Sequence, residues 1–253
     1  MSWRVVAASE IGTSHVTAGT GCEDSCWAQV DLAASGQQFL SMFVSDGAGS
    51  AARGGEGAEL AIQAAAEFIE SKLKLEEFGL SDTFAVDCVL TIRERIYARA
   101  EALGLTARDF ACTFLGVLSS PSGTLVMQIG DGGVVLDVGE GLETAIVPMS
   151  GEYANMTHFV TDEDAISVLA TKTYVGPATR VAAFSDGLQR LVLDMATNKP
   201  YEPFFAKFFD VLSTATADKE DELHSALRRF LSSSSVNERT DDDKTLAMAV
   251  LAP

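Results

Sequence analysis

FLSMFVSDG, residues 39–47, is an apolar, strand-like run that stops at Asp46-Gly47. The same ending recurs in TLVMQIGDG, which stops at Asp131-Gly132, and in RVAAFSDG, which stops at Asp186-Gly187. A fourth acidic cluster, Asp241-Asp242-Asp243, stands just before the closing run TLAMAVL. One such junction is an ordinary strand end. Four of them, gathered by folding, supply the oxygen ligands on rigid elements that a hard divalent cation requires. The glycine after each Asp is expected to let the chain turn sharply and to leave a backbone carbonyl accessible.

Working outward from these ends, strands are expected at 3–8, 26–32 and 39–45, with the middle and last of these forming a pair. Helical periodicity begins near Glu56, where Ile62, Ala65, Ile69 and Leu73 make one apolar stripe. A second helix is predicted over 82–103, with Val89, Ile92, Ile96 and Leu103 on its buried face. Short β-rich runs follow at 112–118, 124–129 and 134–138, the first two joined by the turn Ser120-Pro121-Ser122-Gly123. Residues 139–178 read as a polar surface excursion with a short helix. A strand at 180–185 leads into a helix from Gly187; two helices at 201–212 and 218–231, a loop at 232–235 and a strand at 245–251 complete the chain. Helices come in pairs instead of alternating with strands, which disfavours a doubly wound parallel sheet and favours antiparallel sheets packed together with helices outside.

The 253 residues are 47% hydrophobic, ample for one large core. The N-terminal apolar run is too short for a signal peptide, and no stretch has the length of a membrane span, so a soluble, cytoplasmic protein is expected. Lys and Arg number 18 against 36 Asp and Glu, a net charge of -18 that repels phosphate backbones and argues against a nucleic-acid partner. The four cysteines do not form a metal-binding array. They are read as reduced thiols, with Cys88 and Cys112 in the core.

In order along the chain, Glu23-Asp24, Asp46-Gly47 with the following AGSAARGGEGA, DFACT at 109–113, Gly130-Asp131, Ser185-Asp186-Gly187 and Asp242-Asp243-Lys244-Thr245 match one family's motifs. The chain resembles the metal-dependent Ser/Thr protein phosphatases of the protein phosphatase 2C family, in a bacterial-like form, from Ile11 to Leu251. The resemblance implies an α+β fold, two antiparallel β-sheets packed as a sandwich with helix pairs on the outer faces (α-β-β-α, four layers), and a single domain over residues 1–253 with a variable flap at about 139–178. It further implies that Asp46 bridges two divalent ions, with the Gly47 carbonyl, Asp186 and Asp242 completing the protein ligands. Glu23 and Asp24 would orient metal-bound waters or touch a metal directly, and Asp131 with Asp186 would hold a third, weaker ion.

That chemistry suits the residues. Phosphate monoesters hydrolyse extremely slowly in water. Two cations can activate a water held between them and neutralise the phosphoryl oxygens it attacks. Carboxylate and carbonyl ligands favour Mg²⁺ or Mn²⁺ over zinc. A cysteine-based phosphatase would carry Cys, five residues, then Arg; the nearest approach, Cys88 to Arg93, has only four residues between. The implied activity is hydrolysis of phosphoserine and phosphothreonine in proteins, opposing a Ser/Thr kinase, with no membrane partner.

Two departures from the family pattern bear on the site. The Arg that usually precedes the early acidic pair and grips phosphate is absent; His15 is the candidate in its place, as phosphate contact or as acid to the leaving oxygen, beside the plainer reading of a locally bonded loop histidine. The His that follows the first Asp-Gly in some members is here Ala48. Arg53 is a second candidate phosphate contact, or simply a surface charge. These gaps keep open a second reading, a catalytically weak phosphatase-like binding or regulatory module. A third, an aspartyl nucleophile at Asp162 in Asp162-Glu163-Asp164, lacks the rest of its motif.

Overall fold

The computed structural model describes residues 2–75, 78–147 and 157–252. Strand β1 (Ser2–Glu10) leads through a short helix α1 (Thr13–Ala18) to β2 (Asp24–Leu32) and β3 (Gln38–Asp46). Two long helices follow, α2 (Gly54–Leu73) and α3 (Asp82–Leu103). Then come β4 (Phe114–Ser120), β5 (Gly123–Ile129), β6 (Gly133–Asp137) and the two-residue β7 (Glu143–Thr144). Helix α4 (Ala165–Val168), β8 (Ala170–Val175), β9 (Arg180–Phe184) and α5 (Gln189–Val192) lead to a small hairpin, β10 (Leu193–Asp194) with β11 (Lys199–Pro200). Helices α6 (Glu202–Thr214), α7 (Glu220–Leu231) and α8 (Ser234–Asn237) precede the last strand, β12 (Lys244–Ala252).

Two five-stranded sheets result, ordered β1-β12-β9-β6-β7 and β2-β3-β4-β5-β8, with every pairing antiparallel. The period of two along each strand decides which layer a residue joins. In β3, Phe39 and Phe43 pack with Ile62, Ile69, Val89 and Ile92 of α2 and α3. The intervening Leu40, Met42 and Val44 face the other sheet, against Ala183, Ala247 and Ala249. The opposite faces of β9 and β12, with Phe184, Leu246 and Met248, pack on Phe205, Phe209, Leu227 and Leu231 of α6 and α7. The order is therefore helix pair, sheet, sheet, helix pair. Alanines on the inter-sheet face of β9 and β12 leave room for the larger side chains of β3 and β4.

Local signals explain the long helices. The Ser81 side chain accepts the Phe84 N–H at 3.3 Å at the start of α3, and Gly104, at φ 67°, ends it in the left-handed conformation. The stripes of α2 and α3 are buried as the periodicity requires, except that Leu103 is 40% exposed because the last turn runs past the edge of the core.

Four expectations are corrected. The plainer reading of His15 set it in a loop, whereas it lies in α1. The polar stretch at 139–178 is not only a surface excursion: β8 is an edge strand pairing with β5, from Gly123 opposite Val175 to Gln128 opposite Ala170. The helix expected from Gly187 is only a single turn, α5, closed off by the hairpin after it. Residues 232–235 run into the short helix α8. Within the expected flap, residues 151–156, the stretch expected with Thr157 to shape a substrate groove, lie outside the described residues. Among the described residues, no helix is long and apolar enough to cross a membrane.

Candidate metal centre

Antiparallel pairing brings the critical strand ends to one end of the sandwich. Asp24 opens β2 directly opposite Asp46, which closes β3. The C-terminal end of β9 and the N-terminal end of β12 neighbour each other in the second sheet, with Phe184 opposite Leu246. Asp186 and Asp242 follow and precede those ends. There a cavity of about 400 Å³ is lined by Asp46, Gly47, Asp131, Asp186, Asp241 and Asp242, with His15 and Thr157 also on its wall. The residues named from the strand ends thus converge across two sheets.

Each acidic group is held by its own neighbours. The Asp46 N–H donates to Thr113 Oγ1 at 3.0 Å, and the Thr113 N–H returns a bond to the Asp46 carbonyl at 2.8 Å. Ser45 Oγ donates to the Thr113 carbonyl at 2.6 Å. Asp24 lies sealed between the sheets, its Oδ2 accepting hydroxyl bonds from Ser185 and Thr245, both at 2.7 Å. Thr157 Oγ1 donates to Asp131 Oδ2 at 2.6 Å, and Gln128 Nε2 ties down the carbonyls of Gly130 and Gly132 on either side. The Gln189 side chain donates to the Asp131 carbonyl. The Asp243 backbone N–H fixes Asp242 through its Oδ1 at 2.8 Å.

The glycines serve a different purpose from the one expected of them. Neither Gly47 nor Gly187 has positive φ. A Cβ on Gly47 would lie 2.3 Å from the Gly54 carbonyl carbon, and one on Gly187 would lie 2.0 Å from the Asp243 carbonyl oxygen. Glycine is required there because a second stretch of backbone crosses the site in contact.

The electrostatics call for a cation. Burial, then the charges of Asp24, Asp186, Asp242 and Asp131, push Asp46 far above the usual carboxylate range. Burial also lifts Asp24, despite its two hydroxyl donors, with Asp243 and Asp186 adding to the effect. Asp186 is raised by burial and by Asp131 and Asp242, and its carboxyl lies in hydrogen-bonding contact with that of Asp46. Glu23 is raised too, chiefly by burial. Asp24 Oδ1 and Asp186 Oδ1 are buried and find no hydrogen-bond partner among the described residues. Like charges at such spacing cannot all be ionised without a compensating ion. The donor set, all oxygen and rich in carboxylate, matches Mg²⁺ or Mn²⁺. The residues present therefore fit the metals expected of them.

His15 sits in α1, not in a loop. Its Nδ1 is 3.1 Å from Asp243 Oδ2 and 3.2 Å from the Gly21 carbonyl. Partial burial lowers its pKa, but Asp243, the Gly21 carbonyl, Glu23 and Asp242 together outweigh this and raise it. Arg53 stands away from the cavity lining; it precedes α2 and ion-pairs with Glu56 at 2.6 Å. Asp162 is spent closing a turn, its Oδ2 accepting the Phe159 N–H at 2.8 Å. Burial raises every cysteine thiol, with Cys88 and Cys112 each at about 12, so none is a poised nucleophile.

Sequence reasoning missed Thr113, Ser185, Thr245 and Asp243 as parts of the site. The last three lie inside Ser185-Asp186-Gly187 and Asp242-Asp243-Lys244-Thr245, where the motif itself was the available signal.

The family model described as "Protein phosphatase 2C" matches residues 11–232. Over 252 residues, covering all of both chains, the sequence is 57% identical to Serine/threonine-protein phosphatase 3 of Escherichia coli (strain K12). Among solved structures, the Mycobacterium tuberculosis serine/threonine phosphatase PstP/Ppp superposes with a TM-score of 0.65 at 17% identity, with 100% of each chain covered. The catalytic domain of PstP in complex with two manganese ions gives 0.64 at 16% identity, with 99% of each covered.

Proposed function

The chain belongs to the protein phosphatase 2C family, and from that premise we propose that it is a metal-dependent phosphatase hydrolysing phosphoserine and phosphothreonine in proteins. The observation that carries this reading is the convergence of Asp46, Asp186 and Asp242 on one cavity, where burial and the neighbouring carboxylates raise Asp46 and Asp186. Two Mg²⁺ or Mn²⁺ ions, when bound, supply Lewis acidity and neutralise charge on the phosphoryl group and the attacking water.

The chain's own residues do the rest. Asp46, the Gly47 carbonyl, Asp186 and Asp242 would hold the two ions, with Asp131 and Asp186 offering a third, weaker position. Asp24 and Glu23 would orient metal-bound water from beside the cavity, or touch an ion directly. Ser185 and Thr245 keep the Asp24 carboxylate from rotating away. His15, whose pKa is raised, presents a positive group to the substrate phosphate in the place of the missing arginine. Ala48 offers no proton, which leaves His15 as the wall's candidate acid for the departing seryl or threonyl oxygen.

A single domain over residues 1–253 is the proposed unit, in the cytoplasm, acting on phosphoproteins made by a Ser/Thr kinase. The net charge of -18 disfavours nucleic acid and anionic membranes as partners. Manganese-dependent hydrolysis of p-nitrophenyl phosphate and a phosphothreonine peptide, abolished by Asp46→Ala, is the test. The binding-module reading draws on one observation: neither Arg nor Lys is among the described residues lining the cavity. Metal binding without turnover on either substrate would favour it.

A further inference from the structure

The Asp243 carboxylate is buried at 3% exposure and makes three contacts that no role given to it above explains. Its Oδ1 accepts the Gly12 N–H at 2.6 Å, and its Oδ2 accepts the Glu23 N–H at 2.6 Å. The same Oδ2 lies 3.1 Å from His15 Nδ1. One side chain thus joins the two ends of the segment that carries His15 to the imidazole itself.

The neighbours of Asp243 extend this grip. The Ser14 N–H and Oγ both donate to the Asp241 carbonyl, at 2.9 and 2.6 Å. Lys244, wholly buried, donates from Nζ to the Ile11 carbonyl at 3.0 Å and to Asn237 Oδ1 at 2.8 Å. A Cβ on Gly12 would sit 2.4 Å from the Asp241 carbonyl oxygen, so the two segments touch backbone to backbone.

We propose that Asp243 is a positioning residue for the substrate phosphate: it locks the His15 ring with Nδ1 turned inward as a donor, leaving Nε2 for the cavity. Both partners of Nδ1, the Asp243 carboxylate and the Gly21 carbonyl, only accept hydrogen bonds, so Nδ1 carries a proton. Among the described residues Nε2 has no hydrogen-bond partner, and His15 lines the cavity. An asparagine cannot replace this carboxylate, because its amide group would face one of two N–H donors that both need an acceptor. The inference rests on the reading of His15 as a phosphate contact.

The test is a double-mutant cycle on inhibition by inorganic phosphate in the manganese-loaded protein, with ¹⁵N NMR of the imidazole in the metal-free protein. His15→Ala and Asp243→Asn should each weaken phosphate inhibition by about tenfold, the scale of one charge-assisted hydrogen bond. The double variant should be no worse than His15→Ala within about twofold. In the metal-free wild type, His15 should show a protonated Nδ1, and Asp243→Asn should redistribute the proton between the two nitrogens. If His15→Ala leaves phosphate inhibition unchanged, the His15 reading falls and the proposal with it. If His15→Ala weakens it but Asp243→Asn weakens it equally in both backgrounds, the His15 reading stands and the positioning role is overturned. Should Asp243→Asn fail to fold, the wild-type spectrum decides: a neutral ring protonated only at Nε2 overturns the proposal.

Discussion

Asp24 and Asp46 are directly opposed Cα partners at the last rung of the β2–β3 ladder. Like charges in that relationship repel, and here burial magnifies the effect. The strand pair therefore holds strain that only a cation or a proton relieves. Asp24→Asn keeps an oxygen for the Ser185 and Thr245 hydroxyls while removing one charge. It should raise the melting temperature of the metal-free protein by a few degrees, corresponding to about 1 kcal/mol, and weaken manganese binding. Thermal melts with and without Mn²⁺ check both directions; a variant less stable than wild type without metal would count against the repulsion.

The same carboxylates make metal-free stability fall with pH. Asp186, Asp24 and Asp46 all have folded pKa values above the ordinary carboxylate value, so between that value and the raised ones the folded state binds more protons than the unfolded. Their contribution is fully present below about pH 4 and is lost as pH rises through neutrality. Denaturant midpoints of the metal-free protein should decline from pH 5 to pH 8 as far as these groups govern them, and saturating Mg²⁺ should flatten the decline. A metal-free midpoint that rises over this range would contradict the raised values.

Lys244 is a fully buried ammonium whose donors satisfy the Ile11 carbonyl and Asn237. Lys244→Met fills similar volume but strands both acceptors and leaves Asp243 without its neighbouring positive charge. A loss of about 2–4 kcal/mol in urea unfolding is expected, from two part-buried acceptors losing their charged donor.

Gly47→Ala places a methyl group where the backbone of Gly54 already lies. Either the start of α2 moves or the Gly47 carbonyl turns away from the cavity. The expected loss is about 1–3 kcal/mol of stability, with manganese affinity reduced as well. Calorimetric titration of Mn²⁺ alongside a thermal melt separates the two effects.

Much of this was legible in the chain itself, for identifiable reasons. FLSMFVSDG reads as a strand because apolar residues fill both its faces, and the structure buries Phe43 toward the helices and Met42 toward the other sheet. Helix α3 was legible to its ends because Ser81 caps it and Gly104 stops it. Strand β8 was not, since Lys172, Thr173 and Tyr174 at a sheet edge keep a polar face and carry no strong alternation. Asp46, Asp186 and Asp242 announced themselves through repeated strand-end motifs. Asp243 did not, because its value lies in contacts with Gly12, His15 and Glu23, more than two hundred residues away in sequence. Arg53 looked available as a lone cation after the first Asp-Gly, but Glu56, one helical turn on, claims it.

The most direct test of the metal centre is anomalous diffraction at the manganese edge from crystals grown with Mn²⁺. Two ions should lie between Asp46, Asp186 and Asp242, with the Gly47 carbonyl in contact with one of them. Manganese found elsewhere on the protein, or none at this cavity under saturating conditions, would contradict the assignment of the cluster as the catalytic centre.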